Sequence, residues 1–252
     1  MAPQSPTKPK NTGIANADIS PTPSILLIGA SRGLGLAMAQ EFLQKGWHVT
    51  GTVRDRHNRT QLHDLAGQFP GKLDIEFIDI CDQQQINDLH HRLAGKRFDI
   101  LFVNAGTSNR DPSQTIGEIT TDEFIHLMVT NALSPMRVVE TFQDLVPGDG
   151  MIGVMSSGQG SIANNETGQR ELYRGTKAAL NMYMRSFAAR QTAINSRAMV
   201  VMAPGWVKTE LGGPNARLTI DESIPSLVNV LLAKQGKPGL EYLDYLGKTV
   251  PW

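Results

Sequence analysis

Tyr173 and Lys177 stand four residues apart in the run Tyr-Arg-Gly-Thr-Lys. On a helix this spacing puts both side chains on one face, about 40° apart around the axis. A phenol and an ammonium sharing a cleft make a proton-transfer pair. An isolated phenol, with a pKa near ~10, is a poor acid or base at neutral pH, and a fixed cation beside it stabilises the phenolate and draws its pKa toward working pH. Of the four tyrosines, Tyr173 alone is followed by lysine at the fourth position.

The elements that position this pair are legible upstream. The apolar run Ile25-Leu26-Leu27-Ile28 opens into Gly29-Ala30-Ser31-Arg32-Gly33-Leu34-Gly35, after which Leu36, Ala37, Ala39, Phe42 and Leu43 recur at helical spacing until Gly46. This reads as strand, tight turn and helix. Glycines there permit positive φ and close backbone approach, and the free N–H groups at the helix start suit a pyrophosphate.

Three further buried-strand runs end in polar or glycine-containing turns. Residues 100–103 lead into Asn104-Ala105-Gly106, residues 151–155 into Ser156-Ser157-Gly158, and residues 198–202 into the segment starting at Pro204-Gly205. Additional strands are expected over residues 47–53 and 73–80, with helices over 61–66 and 84–93. Thr120 and Glu123 form a capping pattern for a helix with Asn131 near its end, and a second helical stretch follows Pro135. The catalytic helix is expected over residues 172–190; it is apolar almost all round from Ala178 to Ala189, so it is either central or buried against a partner. Thr219 and Glu222 suggest another capping box, with Pro225 leaving the helix start open. Alternating strands and helices imply an α/β fold, a single doubly wound, Rossmann-like parallel sheet with helices on both faces, whose ligands bind at the carboxyl ends of the strands.

In this order the motifs resemble those of the short-chain dehydrogenase/reductase family, over essentially residues 24–252. Arg174 within the Tyr173–Lys177 pentad, Pro204 to Gly213, and the stretch from Tyr242 to Trp252 are most similar to the sniffer-type carbonyl reductases and the bacterial C-factor proteins. The resemblance implies that Tyr173 is the catalytic acid/base and that Lys177 is its partner, which also holds the nicotinamide ribose. It implies that Ser157 hydrogen-bonds the substrate carbonyl and that Asn131 holds a proton-relay water. Ser156 is expected to face the core or cap the turn. For a bound cofactor it implies contacts from Gly29, Ser31, Arg32, Gly33, Leu34 and Gly35 in the glycine turn, and from Asp79 and Ile80 at the adenine. Asn104, Ala105 and Gly106 would lie beneath the adenine ribose, with Pro204, Gly205, Val207 and Thr209 toward the carboxamide. Val103 replaces the usual first asparagine of the Asn104 turn. The loop from Gly158 to Leu172 is expected to shape the substrate mouth, with Gln159, Trp206 and Leu211 lining an apolar pocket.

Cofactor preference follows from charge. A 2′-phosphate calls for cations, whereas a free ribose hydroxyl is met by a carboxylate. Arg32 and Arg54 occupy the turn and the tip of the second strand, and the nearest acid, Asp55, lies one residue late between Arg54 and Arg56. NADP(H) is expected, and with it the reduction of a ketone or aldehyde to an alcohol; the alternative is a nucleotide-binding signalling protein of C-factor type with weak reductase activity. An epimerase or dehydratase of the longer family branch is disfavoured by the glycine spacing.

Composition is consistent with one globular domain of cytoplasmic type. The 252 residues carry 24 basic and 24 acidic side chains, which gives no electrostatic case for nucleic acid or an anionic membrane. No apolar run approaches the ~18 residues that span a bilayer. Cys81 is the single cysteine, and the six histidines lack metal-ligand spacing, so neither a disulfide nor a metal site is expected. Residues 1–24, rich in Pro, Ser and Thr, are expected to be a flexible leader preceding a domain over residues 25–252. A homodimer or homotetramer is expected from the apolar catalytic helix.

Overall fold

The computed structural model describes residues 22–191 and 197–252. Most of the expected leader therefore lies outside the described residues.

Among the described residues, seven strands form one parallel sheet in the order β3-β2-β1-β4-β5-β6-β7. They are β1 (Ser24–Ile28), β2 (His48–Val53), β3 (Leu73–Phe77), β4 (Ile100–Val103), β5 (Met151–Met155), β6 (Ala198–Ala203) and β7 (Gly239–Asp244). The helices are α1 (Gly33–Gln44), α2 (Gln61–Gln68), α3 (Gln83–Arg92), α4 (Thr121–Met128), α5 (Ser134–Phe142), α6 (Glu171–Gln191) and α7 (Ile220–Lys234).

Strand alternation divides the core in two. Leu26 and Ile28 of β1 face a layer containing Val138 and Phe142 of α5 and Leu180, Met184 and Phe187 of α6. Ile25 and Leu27 face the opposite layer, with Met38 and Phe42 of α1, Leu62 of α2, and Leu227 and Leu231 of α7. Because successive strand side chains point to opposite faces, a strand buried on both sides must be apolar throughout, which is why these strands appear as continuous apolar runs. Val103 belongs to the first layer, so the residue that replaces the usual asparagine packs as a core side chain.

The sheet grows from β1 in both directions, to β2 on one side and to β4 on the other. The loops that follow β1 and β4 consequently part at their carboxyl ends and leave a crevice where ligands of open α/β sheets bind.

Three details depart from the sequence reading. The third strand ends at Phe77 rather than residue 80, although Ile78 N–H still bonds to the Val53 carbonyl at 2.9 Å. The helix carrying Asn131 does not stop before Pro135: α4 runs through a π-turn at Val129–Leu133 directly into α5. Pro135 brings no N–H, so the α-helical donor to the Asn131 carbonyl is missing, and the chain widens there instead of breaking. Finally, β7 adds a strand that the apolar-run criterion did not pick out. The Thr219 box does start α7, with Thr219 Oγ1 accepting from Glu222 N–H at 3.2 Å, and Pro225 is accommodated inside the helix.

Candidate active site

The site is assembled from the ends of β1, β4, β5 and β6 and from the first turns of α6. Tyr173 and Lys177 lie on one face of α6, both buried, with Lys177 Nζ 5.8 Å from the Tyr173 ring centre. Lys177 Nζ donates to the Met155 carbonyl at the end of β5, at 3.0 Å. That bond aims the ammonium at the sheet edge and ties α6 to the strand that leads into Ser157.

The electrostatics differ from the simple picture of a cation lowering a phenol. Burial pushes the Tyr173 phenol up; a hydrogen bond with Ser157 and the charge of Arg170 act in the opposite direction. Burial also lowers Lys177 to about 8. Both shifts disfavour the charged form, as desolvation requires. The site therefore holds a neutral phenol beside a lysine that titrates near working pH.

Asn131 is fully buried in the π-turn. Its side chain pairs reciprocally with the backbone of Thr107: Oδ1 accepts Thr107 N–H, and Nδ2 donates to the Thr107 carbonyl, both at 2.8 Å. Nδ2 also donates to Thr176 Oγ1 at 3.0 Å, whose hydroxyl donates to the Tyr173 carbonyl at 2.8 Å. Asn131 thus pins the loop after β4 to the helix that carries Tyr173. A Cβ built on Gly106 would lie 3.2 Å from Lys177 Nζ and 3.4 Å from Asn131 Oδ1, so those two groups converge on the face of this glycine.

Ser157 begins the turn after β5. Its Oγ accepts from Gln159 N–H at 3.1 Å, which leaves the hydroxyl proton available to donate. Ser156 is buried and its Oγ donates to Asn181 Oδ1 at 2.6 Å, so of the two adjacent serines it is the one turned into the core. Asn181 Nδ2 in turn donates to the Gly160 carbonyl at 3.2 Å.

The glycine turn has a strict geometry. A Cβ on Gly35 would sit 2.0 Å from the Gly29 carbonyl oxygen and one on Gly29 would sit 2.9 Å from Ala105 N, so neither position tolerates a side chain. Asn104 Nδ2 donates to the Gly29 carbonyl at 2.9 Å and joins the loops of β1 and β4 across the crevice. Gly33 has φ +57° with open space where its side chain would be, and Arg32 at the N-cap makes no side-chain cap bond. The uncapped start of α1, with no acid in its first turn, could hold an anionic phosphate, and Ser31 and Leu34 flank it half-buried.

Around the tip of β2, Arg54 is exposed and has no hydrogen-bond or ion-pair partner among the described residues, while Asp55 turns back on its own loop, accepting from His57 N–H at 2.8 Å and Asn58 Nδ2 at 2.6 Å. A cavity of about 330 Å³ opens beside Arg54, and the Arg56 and Arg92 guanidiniums cover the Phe77 ring on its wall at 4.2 and 4.4 Å. Arg32 is paired across the crevice with Glu210, in the segment after β6. Asp79 is engaged by Cys81 N–H at 2.9 Å, and Ile80 is buried.

In the segment after β6, Pro204 accepts Ser223 Oγ at 2.7 Å, Gly205 takes φ +83°, Val207 is buried, and Thr209 Oγ1 accepts Gly212 N–H at 3.0 Å. The expected pocket residues Trp206 and Leu211 are nearly half exposed. Just before α6, Gly168, Gln169 and Arg170 are successively left-handed, an expensive conformation for the last two, in the loop expected at the substrate mouth. Among the described residues there is no cluster of three or more His, Cys, Asp or Glu that could hold a metal ion, and no helix is long and apolar enough to cross a membrane.

Sequence reasoning missed Asn181 and Tyr242. The Tyr242 hydroxyl donates to the Ser157 carbonyl from β7. Asn181 stands four residues beyond Lys177, so the helical spacing that singled out Tyr173 and Lys177 extends one more turn to reach it.

The chain is similar to known proteins. A family model described as Enoyl-(Acyl carrier protein) reductase, of the short-chain alcohol dehydrogenase group, matches residues 29–224. A crystal structure described as a short-chain dehydrogenase/reductase from Burkholderia multivorans with bound NADP is 68% identical, covers 92% of this chain and 100% of that one, and superposes with a TM-score of 0.90. The carbonyl reductase Sniffer of D. melanogaster is 27% identical over 92% of this chain and 100% of its own, with a TM-score of 0.79. The C-signal protein of Myxococcus xanthus is 32% identical over 159 residues, 61% of this chain and 92% of its own. With the seven-stranded sheet, the glycine turn and the Tyr173–Lys177 face in place, the matched span makes the chain a member of the short-chain dehydrogenase/reductase family.

Proposed function

We propose that the protein is an NADPH-dependent reductase of a ketone or aldehyde, with Tyr173, Ser157, Lys177 and Asn131 as its proton-handling groups. The observation that carries this reading is the convergence of the Ser157 and Tyr173 hydroxyls, beside a buried Lys177, at the carboxyl edge of the sheet. Two neutral hydroxyl donors directed at one point suit a carbonyl oxygen that gains negative charge.

The residues present fit NADP(H). The side-chain-free glycine turn and the uncapped start of α1 suit the pyrophosphate. The unpaired Arg54, with Asp55 turned back on its own loop, suits a 2′-phosphate better than a free ribose hydroxyl. When bound, the nicotinamide supplies the hydride. Ser157 and Tyr173 orient the carbonyl oxygen and stabilise its developing charge, and Tyr173 gives up its phenolic proton. Lys177, titrating near 8, resupplies that proton and regains one from solvent on the side of Asn131, whose carbonyl lacks a helical donor because Pro135 has no N–H. Lys177 also stabilises the transient phenolate once the proton has left. In this reading Gln159, Trp206 and Leu211 line the substrate mouth.

The test is NADPH oxidation by the purified protein against a panel of aliphatic and aromatic ketones and aldehydes, with an enoyl thioester as a separate arm. Turnover of a carbonyl with NADPH preferred over NADH is expected. Reduction of the thioester alone, or NADPH binding without turnover of any member, would overturn the reading.

A further inference from the structure

We propose that Tyr242, on the last strand of the sheet, is a positioning residue for the Ser157 hydroxyl, acting through the Ser157 carbonyl. This rests on the proposed carbonyl reduction, in which Ser157 contacts substrate.

The Ser157 carbonyl accepts two donors, the Gly160 N–H at 2.9 Å and the Tyr242 hydroxyl. The first belongs to the same short turn and moves with it; the second comes from β7, which lies beyond β6 from the strand that carries Ser157. Of these two donors, only the second refers the Ser157 carbonyl to the body of the sheet; the residue before it is tied by Ser156 N–H to the Met202 carbonyl of β6 at 2.8 Å. Ser157 itself is extended, with φ −161° and ψ 148°, and its Oγ is held by Gln159 N–H, so a shift of its carbonyl carries the hydroxyl with it.

Tyr242 is itself immobilised. Its ring is 1% exposed and packs against the Trp252 ring at 5.2 Å between centres. Trp252 is covered by the Arg185 guanidinium of α6 at 4.7 Å, and its carbonyl accepts Ala163 N–H at 3.2 Å. The segment after β7 is thereby fixed both to α6 and to the loop that follows Ser157. Burial holds the Tyr242 phenol at about 12, so it stays a neutral donor across the working pH range. The chemistry makes no other use of this phenol, since its hydroxyl is spent on a backbone carbonyl rather than aimed at substrate.

Tyr242→Phe keeps the ring against Trp252 and removes the donor to Ser157 together with the hydroxyl's contacts to the Asn181 and Ser156 side chains. We expect kcat to fall about 10-fold, the effect of one lost hydrogen bond, with the substrate KM and the NADPH dissociation constant unchanged. Without any substrate, hydrogen–deuterium exchange of the amides in residues 158–161 should quicken by about the same factor, while amides of β1 and α1 keep the parent rate. In a Ser157→Ala background, Tyr242→Phe should cost no further activity.

Unchanged exchange at residues 158–161, an unchanged kcat, or a full additional loss on top of Ser157→Ala would overturn the proposal. Exchange that rises throughout the sheet together with weaker NADPH binding would also overturn it, because the hydroxyl would then serve the fold at large. If Tyr242→Phe does not fold, 4-fluorophenylalanine at position 242, which fills the space of the hydroxyl without supplying a donor, replaces it; unaltered kcat and loop exchange in that protein would contradict the proposal. Full activity of Ser157→Ala alone would instead overturn the reading on which the proposal rests.

Discussion

Lys177 carries the sharpest residue-scale consequence. Burial lowers it from an unfolded value of 10.5 to about 8, so the folded protein binds that proton less well than the unfolded chain does. Between pH 8 and 10.5 the unfolded state is the more protonated of the two, and stability rises with pH through that window; below about 8 the full cost of a buried ammonium is present. That cost is about 3 kcal/mol, partly offset by the bond to the Met155 carbonyl, worth about 1–2 kcal/mol. Lys177→Met is therefore expected to raise the melting temperature by about 2–4 °C at pH 7 while abolishing turnover, as read by calorimetry and NADPH oxidation. A clear fall in melting temperature would mean that the lysine stabilises the fold. In the parent protein, kcat/KM for reduction should decline as pH rises through about 8, because the charged lysine is the proton source. Arg32 yields a second expectation: its pairing with Glu210 competes with a 2′-phosphate. Glu210→Gln should tighten NADPH binding several-fold and leave NADH binding unmoved. Arg54→Asp should reverse the preference by adding repulsion and a ribose acceptor. Fluorescence titration with both cofactors checks the pair, and a ratio that neither substitution moves would show these groups to be solvated surface charges.

At the scale of elements, the glycine turn is the most demanding piece of geometry. Gly35→Ala would drive a methyl group to 2.0 Å from the Gly29 carbonyl oxygen, where backbone and not a flexible side chain must give way. We expect loss of NADPH binding by at least 100-fold, or an insoluble protein, whereas Gly33→Ala, with φ +57° and open space around it, should cost only about 1–2 kcal/mol of backbone strain. Comparable titrations of the two variants would contradict this account of the turn. The turn was legible in the sequence because its chemistry is local: an apolar run, glycines and a helical repeat follow one another within a few residues. The shared helix face of Tyr173 and Lys177 was legible for the same reason, whereas Asn131 was singled out by the family resemblance alone. What escaped detection spans distance or exception. Tyr242 meets Ser157 across 85 residues, and no local pattern encodes that contact. β7 is an edge strand with exposed or half-exposed positions, so it lacks the unbroken apolar run of the central strands. The π-turn hides inside a helical pattern, because Pro135 reads equally as the end of one helix or the start of another. The phenol's direction of shift depends on burial, which spacing alone does not report.

For the whole molecule, α4 and α6 present apolar side chains to the outside. Phe124 and Ile125 are 43% and 52% exposed, and Met182 and Tyr183 are 59% and 45% exposed. Apolar positions on both faces of α6 fit a helix buried against the core on one side and against a second copy on the other. We expect a homodimer or homotetramer by light scattering at micromolar concentration, and a shift toward the single-chain mass in Met182→Glu. A single-chain mass in the parent would reject that assembly. The account as a whole rests on the phenol at the carboxyl edge of the sheet, and its most direct test is the comparison of Tyr173→Phe with the parent on the best carbonyl substrate. The variant is expected to fold, to bind NADPH with the parent's affinity within about 3-fold, and to lose kcat/KM for carbonyl reduction by ~10³-fold or more, since it lacks both the proton donor and one of two oxyanion contacts. Near-parental turnover by Tyr173→Phe would contradict the account at its centre.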